Sequence, residues 1–180
     1  TIAKYILSSH GLESSTLTGG MDSWSTSFEK GEINVETKDG HINIVQVRRI
    51  GKGCMSHIVS SENESIVIDP VYPIEEYIKI AQDKKTKIIA VFDTHQHADH
   101  ISAAKKLADT TNATLHLSGY ESYDIQSSKV FHADSQKFGT TSLNVIHTPG
   151  HTLGSLSFLV AEKFFFSGDT IFVDSVGRPD

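Results

Sequence analysis

The sequence predicts a mixed α/β fold, and three of its features support this prediction. Short apolar runs such as residues 88–93 alternate with helical patterns such as that of residues 101–111. Turns that contain glycine or proline separate these segments. The chain of 180 residues, with 38% hydrophobic residues, is long enough to bury a substantial core. Strands and helices in this order are typical of a mixed α/β sandwich.

Residues 1–28 predict a small segment without a core of its own. Apolar side chains recur at helical spacing over residues 1–9, and Gly11 ends this pattern. Residues 15–17 predict a short strand, and the Gly-Gly-Met sequence at residues 19–21 predicts a turn into one more helical turn. About thirty residues cannot bury a stable core alone, so we expect this segment to pack as an appendage.

Residues 29–41 are charged and contain glycine, which predicts a linker or a surface strand. From residue 42 onward the pattern is that of one domain. The predicted strands are residues 42–50, 54–59, 65–70, 88–93, 113–117, 142–147, 154–160 and 163–167. The predicted helices are residues 73–82 and 101–111.

Candidate metal ligands occupy three turns, and each turn follows an apolar run. The first turn reads Thr-His-Gln-His-Ala-Asp-His, the second Thr-Pro-Gly-His-Thr and the third Ser-Gly-Asp-Thr. Their candidate ligands are His95, His97, Asp99, His100, His151 and Asp169. Neutral imidazole and carboxylate are the usual ligands of a divalent transition metal. We therefore predict a metal site where these turns meet.

The other histidines and the cysteine are expected to be structural. The histidines outside the motifs are His10, His41, His57, His116, His132 and His147. Each is more often a surface or supporting residue than a ligand. Cys54 lies in a predicted strand, where a thiol usually behaves as a small buried side chain.

The three motifs together resemble those of the metallo-β-lactamase superfamily, and the resemblance covers roughly residues 40–180. It implies an αββα sandwich with the metals at one edge, between two sheets. Asp69 matches a family position that supports the site rather than binding metal. Family members continue beyond the Gly-Asp-Thr motif, whereas this sequence ends at Asp180. We therefore expect a sandwich truncated at its C-terminal end, a fragment that lacks the late histidine of dinuclear members.

The first segment resembles the end of a rhodanese domain, with its last helix, strand and Gly-Gly-Met-x-x-Trp turn. The predicted organisation is a C-terminal rhodanese-like remnant at residues 1–28 and a linker at 29–41. The N-terminal and central parts of a metallo-β-lactamase-like domain follow at residues 42–180. The persulfide-carrying cysteine of rhodaneses would lie before Thr1, so no chemistry is expected from this segment.

Within the superfamily, three details resemble persulfide dioxygenases. They are the His-Ala-Asp-His sequence of the first motif, the Gly-Arg-Pro-Asp stretch at residues 177–180 and the rhodanese-like segment at residues 1–28. The resemblance implies that Fe(II), bound by His95, His151 and Asp169, oxidises a low-molecular-weight thiol persulfide with O₂ to sulfite. An open coordination face is the usual signature of such iron oxygenases.

Two other functions stay open. In a dinuclear zinc hydrolase of the glyoxalase II type, Asp99 and His100 would hold a second Zn(II) ion. The other possibility is an inactive sulfur-relay or binding scaffold. In the dioxygenase, His97, Asp99 and His100 would instead be catalytic residues that shape the pocket.

Composition excludes several partners. The net charge is −6 and the basic residues form no run, so we expect no nucleic-acid partner. No apolar stretch is long enough to span a membrane, and no signal peptide is recognisable. The single cysteine excludes an internal disulfide and favours a cytoplasmic location. The expected partners are the persulfide substrate and O₂, and a homo-oligomer stays open.

Overall fold

The computed structural model describes residues 1–38 and 40–179. The helices are α1 (Ile2–Ser9), α2 (Gly20–Ser25), α3 (Glu75–Asp83) and α4 (Ala104–Thr111), with a 3₁₀ turn at Gly168–Thr170. The first strands are β1 (Phe28–Thr37), β2 (Gly40–Arg49), β3 (Met55–Ser61), β4 (Glu64–Ile68), β5 (Lys87–Phe92) and β6 (Thr114–Ser118). The later strands are β7 (Ser128–Val130), β8 (Ser135–Phe138), β9 (Thr141–His147), β10 (Leu156–Val160), β11 (Phe164–Phe166), β12 (Ile171–Phe172) and β13 (Ser175–Val176).

Two β-sheets and a short hairpin contain these strands. The larger sheet has seven strands in the order β1 to β7, antiparallel from β1 to β4 and parallel from β4 to β7. The smaller sheet has four antiparallel strands in the order β11-β10-β9-β8. Strands β12 and β13 pair only with each other among the described residues. The parallel strands require crossovers, and α3 and α4 supply the first of them.

Two hydrophobic cores hold three layers together. Val45 and Val47 of β2 face a core that includes residues of α3 and α4, whereas Ile42 and Ile44 face the smaller sheet. This alternation follows from the period of two in a strand, which sends neighbouring side chains to opposite faces. Helices α3 and α4 thus cover one face of the larger sheet, and the smaller sheet covers the other. The predicted mixed α/β sandwich is confirmed.

The predicted elements agree with the structure over most of the chain, with a few differences. Residues 15–17 form no strand, and α4 begins at Ala104 rather than at residue 101. The predicted linker or surface strand is a strand, because β1 pairs with β2 along its whole length. Asp39 of that stretch lies outside the described residues. None of the helices described here has the length and apolar character needed to cross a membrane.

The candidate site lies where strands of both sheets end. Strand β5 ends at Phe92, and the Phe92 carbonyl accepts a hydrogen bond from the backbone N–H of Asp69, beyond β4, at 2.9 Å. The backbone N–H of Leu156 in β10 donates to the Thr94 carbonyl at 2.7 Å. These bonds bring the loop after β5 against both sheets, so its histidines lie at the shared edge of the sandwich.

Candidate metal centre

His95, His151 and Asp169 converge at this edge, as the sequence predicts. One possible ligand atom from each residue lies within 4.8 Å of the other two. His151 Nε2 and Asp169 Oδ2 are 3.8 Å apart. Two atoms that each bind one metal ion at about 2.1 Å lie at most about 4.2 Å apart, so this pair fits a shared ion. Two imidazoles and one carboxylate are also a donor set that suits first-row transition metals.

The His95 ring is oriented by a chain of hydrogen bonds that begins at Asp69. The Asp69 carboxylate accepts from the Thr94 backbone N–H at 2.7 Å and from the Thr94 hydroxyl at 2.9 Å. The hydroxyl proton is thereby used, so Thr94 Oγ1 accepts the Nδ1–H of His95 at 2.9 Å. His95 Nε2 keeps its lone pair for a metal. Such supporting bonds commonly fix the tautomer of a ligand histidine.

His151 is oriented in the same sense by the backbone of the Gly177-Arg178 turn. Its Nδ1 lies 2.7 Å from the Arg178 carbonyl oxygen, which can only accept, so Nδ1 carries the proton and Nε2 is free to bind. A Cβ atom added at Gly177 would lie 1.8 Å from the Asp169 carbonyl oxygen. The predicted Gly-Arg-Pro-Asp stretch thus packs directly on two candidate ligands. Its last residue, Asp180, lies outside the described residues.

Gly168 lets the Asp169 turn approach the His95 loop. Its φ angle is +51°, a left-handed value that glycine adopts readily. A Cβ atom at this position would lie 2.4 Å from Thr94 Oγ1. The glycine of the Ser-Gly-Asp-Thr motif is therefore required by both backbone conformation and space.

His97 belongs to a second group, with Asp69 and Asp93. Its Nε2 lies 3.3 Å from Asp69 Oδ1 and 3.9 Å from Asp93 Oδ1, and all three side chains are largely buried. Burial lowers the pKa of His97, but the carboxylates of Asp69, Asp93 and Asp169 outweigh it and raise the pKa to about 9. Burial and the Asp69 charge raise the pKa of Asp93 to about 7. In this arrangement His97 is an ion-pair partner of the two aspartates.

Asp99 and His100 form a third group, with Cys54. His100 Nδ1 lies 2.8 Å from Asp99 Oδ1 and 3.9 Å from Cys54 Sγ. His100 Nε2 is buried and has no hydrogen-bond partner. The groups are close neighbours, because the ring centroids of His97 and His100 are 4.4 Å apart. The predicted residues are therefore brought to one place, but in three groups of possible ligand atoms.

Asp169, one of the three converging residues, lines a cavity of about 950 Å³. Its apolar wall includes Ile33, Met55, Phe164 and Phe166. Polar side chains from the His95 and Asp169 loops line another part of it, among them His97, Asp99, His100 and Asp169. A cavity with apolar walls and a few convergent polar groups is typical of a small-molecule site.

The remaining histidines lie outside the three groups among the described residues, in agreement with their predicted structural roles. His57 contacts the Phe166 ring edge-on, and His116 stacks on Phe92. Burial lowers the pKa of His116, which favours its neutral form. Cys54 is only partly buried and lines the cavity, so the prediction of a buried strand thiol is wrong. It directly precedes β3 and lies outside the strand.

The sequence reasoning missed three supporting residues, namely Thr94, Glu121 and Arg178. Thr94 adjoins His95, and a hydroxyl beside a ligand histidine was an available signal. Arg178 acts through its backbone carbonyl, which no side-chain pattern can show. Glu121 lies 25 residues from Gln96, to which it bonds, so only the folded chain brings it to the site.

Comparison with known proteins identifies relatives of the region that carries the site. The sequence profile of the metallo-β-lactamase superfamily matches residues 49–180. A hydroxyacylglutathione hydrolase of Francisella philomiragia is 36% identical over 126 residues, which are 67% of this chain and 48% of that protein. A probable polyketide biosynthesis zinc-dependent hydrolase of Bacillus subtilis is 29% identical over 63% of this chain and 52% of that protein. The chain thus spans about half the length of these curated relatives.

Solved structures share the same sandwich. A metallo-β-lactamase from Staphylococcus aureus is 29% identical with a TM-score of 0.67, over 85% of this chain and 45% of that chain. ETHE1 from Myxococcus xanthus is 26% identical with a TM-score of 0.67, over 82% of this chain and 61% of that chain. The fold is therefore common to these proteins and this chain.

Proposed function

The chain belongs to the metallo-β-lactamase superfamily, and we propose that it oxidises a low-molecular-weight thiol persulfide with O₂ at a mononuclear non-haem iron. In this reaction the persulfide, O₂ and water together yield the thiol, sulfite and protons. The outer sulfur of the persulfide is oxidised and O₂ is reduced. The proposed iron ligands are His95, His151 and Asp169.

One observation carries this proposal, namely that two histidines and one carboxylate each place a possible ligand atom within 4.8 Å of the other two. The same residue types form the facial triad of non-haem Fe(II) oxygenases, which leaves coordination positions open. Fe(II) bound by these residues would supply the redox chemistry that O₂ requires. His95 and His151 donate their Nδ1–H groups to Thr94 and Arg178. Each histidine therefore keeps the lone pair of its Nε2 for a metal, as such a site needs.

The position of His97 supports a site with three protein ligands. Its Nε2 is buried without a hydrogen bond. It faces the carboxylates of Asp69 and Asp93, with which it forms a group of possible ligand atoms distinct from that of His95. The triad of His95, His151 and Asp169 is thus left as a separate set of ligands.

The cavity of about 950 Å³ has room for a low-molecular-weight thiol persulfide. Phe164 and Phe166 line it beside Asp169, so a bound substrate would displace water from the metal-facing side. Asp99 and His100 also line the cavity and share a hydrogen bond. We assign them the uptake of protons that the reaction releases, because they are titratable side chains at the cavity surface.

The sequence resemblances point the same way. The His-Ala-Asp-His sequence and the Gly177-Arg178 segment resemble those of persulfide dioxygenases. The Arg178 carbonyl of this segment accepts a hydrogen bond from His151. The resemblance of residues 1–28 to the end of a rhodanese domain would also fit a protein of sulfur metabolism. Helices α1 and α2 of this segment bury no residue, in keeping with an appendage.

A dinuclear zinc hydrolase is the second candidate, and two observations favour it. His100 Nε2 is buried and unpartnered, and beside Asp99 it could bind a second ion. Two relatives are also named as a hydroxyacylglutathione hydrolase and a probable zinc-dependent hydrolase. Zn(II) would then activate water for attack on a thioester.

Metal stoichiometry distinguishes these candidates. The chain is purified without O₂, stripped of metal and titrated separately with Fe(II) and Zn(II), followed by elemental analysis. The proposal predicts about one tightly bound iron per chain. It also predicts that Asp99→Asn leaves this number unchanged. Binding of about two zinc ions, reduced to about one by Asp99→Asn, would favour the hydrolase.

A further inference from the structure

Glu121 joins the two loops that carry the candidate ligand histidines. Its Oε2 accepts a hydrogen bond at 3.2 Å from the backbone N–H of Gln96, the residue after His95. Its Oε1 accepts from the hydroxyl of Thr152, the residue after His151. Oε1 also accepts from the backbone N–H of Gly154 at 3.1 Å. One carboxylate is therefore bonded to both loops at positions adjacent to His95 and within three residues of His151.

Glu121 is itself anchored to the body of the sandwich. The Tyr123 hydroxyl donates to its Oε2 at 2.8 Å. Tyr123 packs against the core between α3, α4 and the larger sheet. The Lys129 ammonium lies 4.3 Å from the centroid of the Tyr123 ring, a cation–π distance. The Glu121 carboxylate is thus held by Tyr123 on the side of the core, and it binds the two histidine loops on its other side.

The loop that follows His151 is shaped to admit the Glu121 side chain. A Cβ atom added at Gly154 would lie 2.2 Å from Glu121 Cγ. Gly154 is buried, so a larger residue would push the two loops apart or displace the glutamate. Glycine at this position and glutamate at residue 121 therefore form one fitted contact.

The contact is a charge-assisted one. Burial raises the pKa of Glu121, but hydrogen bonds from Thr152, Tyr123, Gly154 and Gln96 outweigh it and hold the pKa below its usual value. An ionised carboxylate accepts hydrogen bonds more strongly than a neutral group does. Four donors directed at one carboxylate also leave little freedom to the loops that supply them.

We propose that Glu121 is a positioning residue of the metal centre, which sets the separation of His95 and His151 by tying their loops together. It contacts the neighbours of these histidines rather than their rings, so it acts through the backbone of both loops. Without it, part of the metal's binding energy would be spent on bringing the loops together. The inference rests on the metal centre of the proposed function, but not on which reaction occurs there.

The test uses Co(II) as a probe, because its visible spectrum reports coordination geometry independently of activity. The full chain and its Glu121→Gln variant are titrated with Co(II) after metal removal. Glutamine has a single acceptor oxygen, and its NH₂ group would face one set of donors. We expect Co(II) to bind about tenfold more weakly to Glu121→Gln, with an altered spectrum.

A matched control variant and a double-mutant cycle distinguish a positioning role of Glu121 from a general effect on the stability of the fold. Glu64→Gln is the control, because Glu64 also accepts a backbone N–H, that of Gly139, but away from the metal loops. We expect it to bind Co(II) like the unmodified chain. Thr152→Val removes the hydroxyl that donates to Glu121 and that also contacts Ser155 Oγ at 3.0 Å, and it should weaken binding in the same direction. The double variant should weaken binding by less than the product of the two single effects, since both break one contact.

The outcomes are distinct. Weaker Co(II) binding in Glu121→Gln and Thr152→Val, but not in Glu64→Gln, would support the positioning role. If Glu121→Gln does not fold, Thr152→Val alone decides. Affinities and spectra that match those of the unmodified chain, even with a lowered melting temperature, would overturn the role and leave the metal centre intact. Failure of the unmodified chain to bind Co(II) would overturn the metal centre, and this inference with it.

Discussion

The hydroxyl oxygen of Thr94 lies 2.9 Å from Nδ1 of His95 and donates its own proton to Asp69. This places a buried carboxylate behind a candidate metal ligand, with a hydroxyl between them. The arrangement fixes which nitrogen of His95 is free and increases its basicity. Asp69 therefore acts on His95 through Thr94, and it also belongs to a second group of possible ligand atoms with Asp93 and His97.

Replacing Thr94 by valine should weaken metal binding. Valine keeps the shape of threonine but can neither accept from His95 nor donate to Asp69. Loss of such a supporting bond typically lowers metal affinity by about 10–100-fold. Competition titration with a chromophoric chelator measures this change. Thr110→Val is the control, since the Thr110 hydroxyl bonds only to a carbonyl of its own helix α4. Equal affinities for the two variants would argue against the Thr94 relay.

His95→Ala and Asp169→Ala should each abolish tight metal binding, because each removes one ligand from a three-ligand site. Elemental analysis of the purified variants measures the bound metal. His132→Ala is the control, because the His132 imidazole accepts a backbone hydrogen bond from His147 and lies outside the ligand groups found among the described residues. Full metal content in both ligand variants would show that the assignment is incorrect.

Gly168→Ala should destabilise the metal-free chain more than Gly11→Ala does. Both glycines have positive φ angles, +51° and +73°, so both substitutions cost about 1 kcal/mol in backbone strain. Only at Gly168 would the new methyl meet a neighbour, 2.4 Å away at Thr94, which adds about 1–3 kcal/mol of overpacking. Urea unfolding measures both variants. Similar losses of stability would mean that the Thr94 contact can relax without cost.

The stability contribution of Glu121 should depend on pH. Its folded pKa lies below the ordinary value of 4.5, so above that value the contribution is fully present. It is lost as pH falls through the folded pKa, because the unfolded chain binds the proton first. The unfolding free energies of the unmodified chain and of Glu121→Gln should therefore converge between about pH 6 and pH 3. A difference that stays constant over this range would rule out an ionised Glu121 as the source.

Periodicity and turn chemistry predicted the layered fold because the buried strands and helices carry strong apolar patterns. Strand β5 and helix α3 are examples, and both form close to their predicted positions. The sequence did not predict strands β7 and β8, because each strand has at most four residues and only one buried residue. Helix α4 starts late because the Ser102 hydroxyl accepts the Ala104 N–H and donates to Asp93, which keeps the preceding residues in a loop.

The sequence predicted which residues are candidate ligands, but not how they divide into three groups. Histidines and aspartates at the ends of apolar runs predict a metal site, because the strand ends of one sandwich meet at an edge. Whether His97 turns toward His95 or toward Asp69 depends on buried charges that come from different strands. The same holds for Glu121, whose four donors come from three separate segments. Sequence spacing carries no record of such contacts.

The most direct test of the proposed function is O₂ uptake by the Fe(II)-loaded chain with glutathione persulfide, with sulfite measured in parallel. We expect O₂ to be consumed and sulfite to form in about equal amounts, by the balance of the reaction at a single iron site. The His95→Ala variant should do neither. Bound iron without O₂ uptake, together with hydrolysis of a glutathione thioester by the zinc-loaded chain, would contradict the dioxygenase.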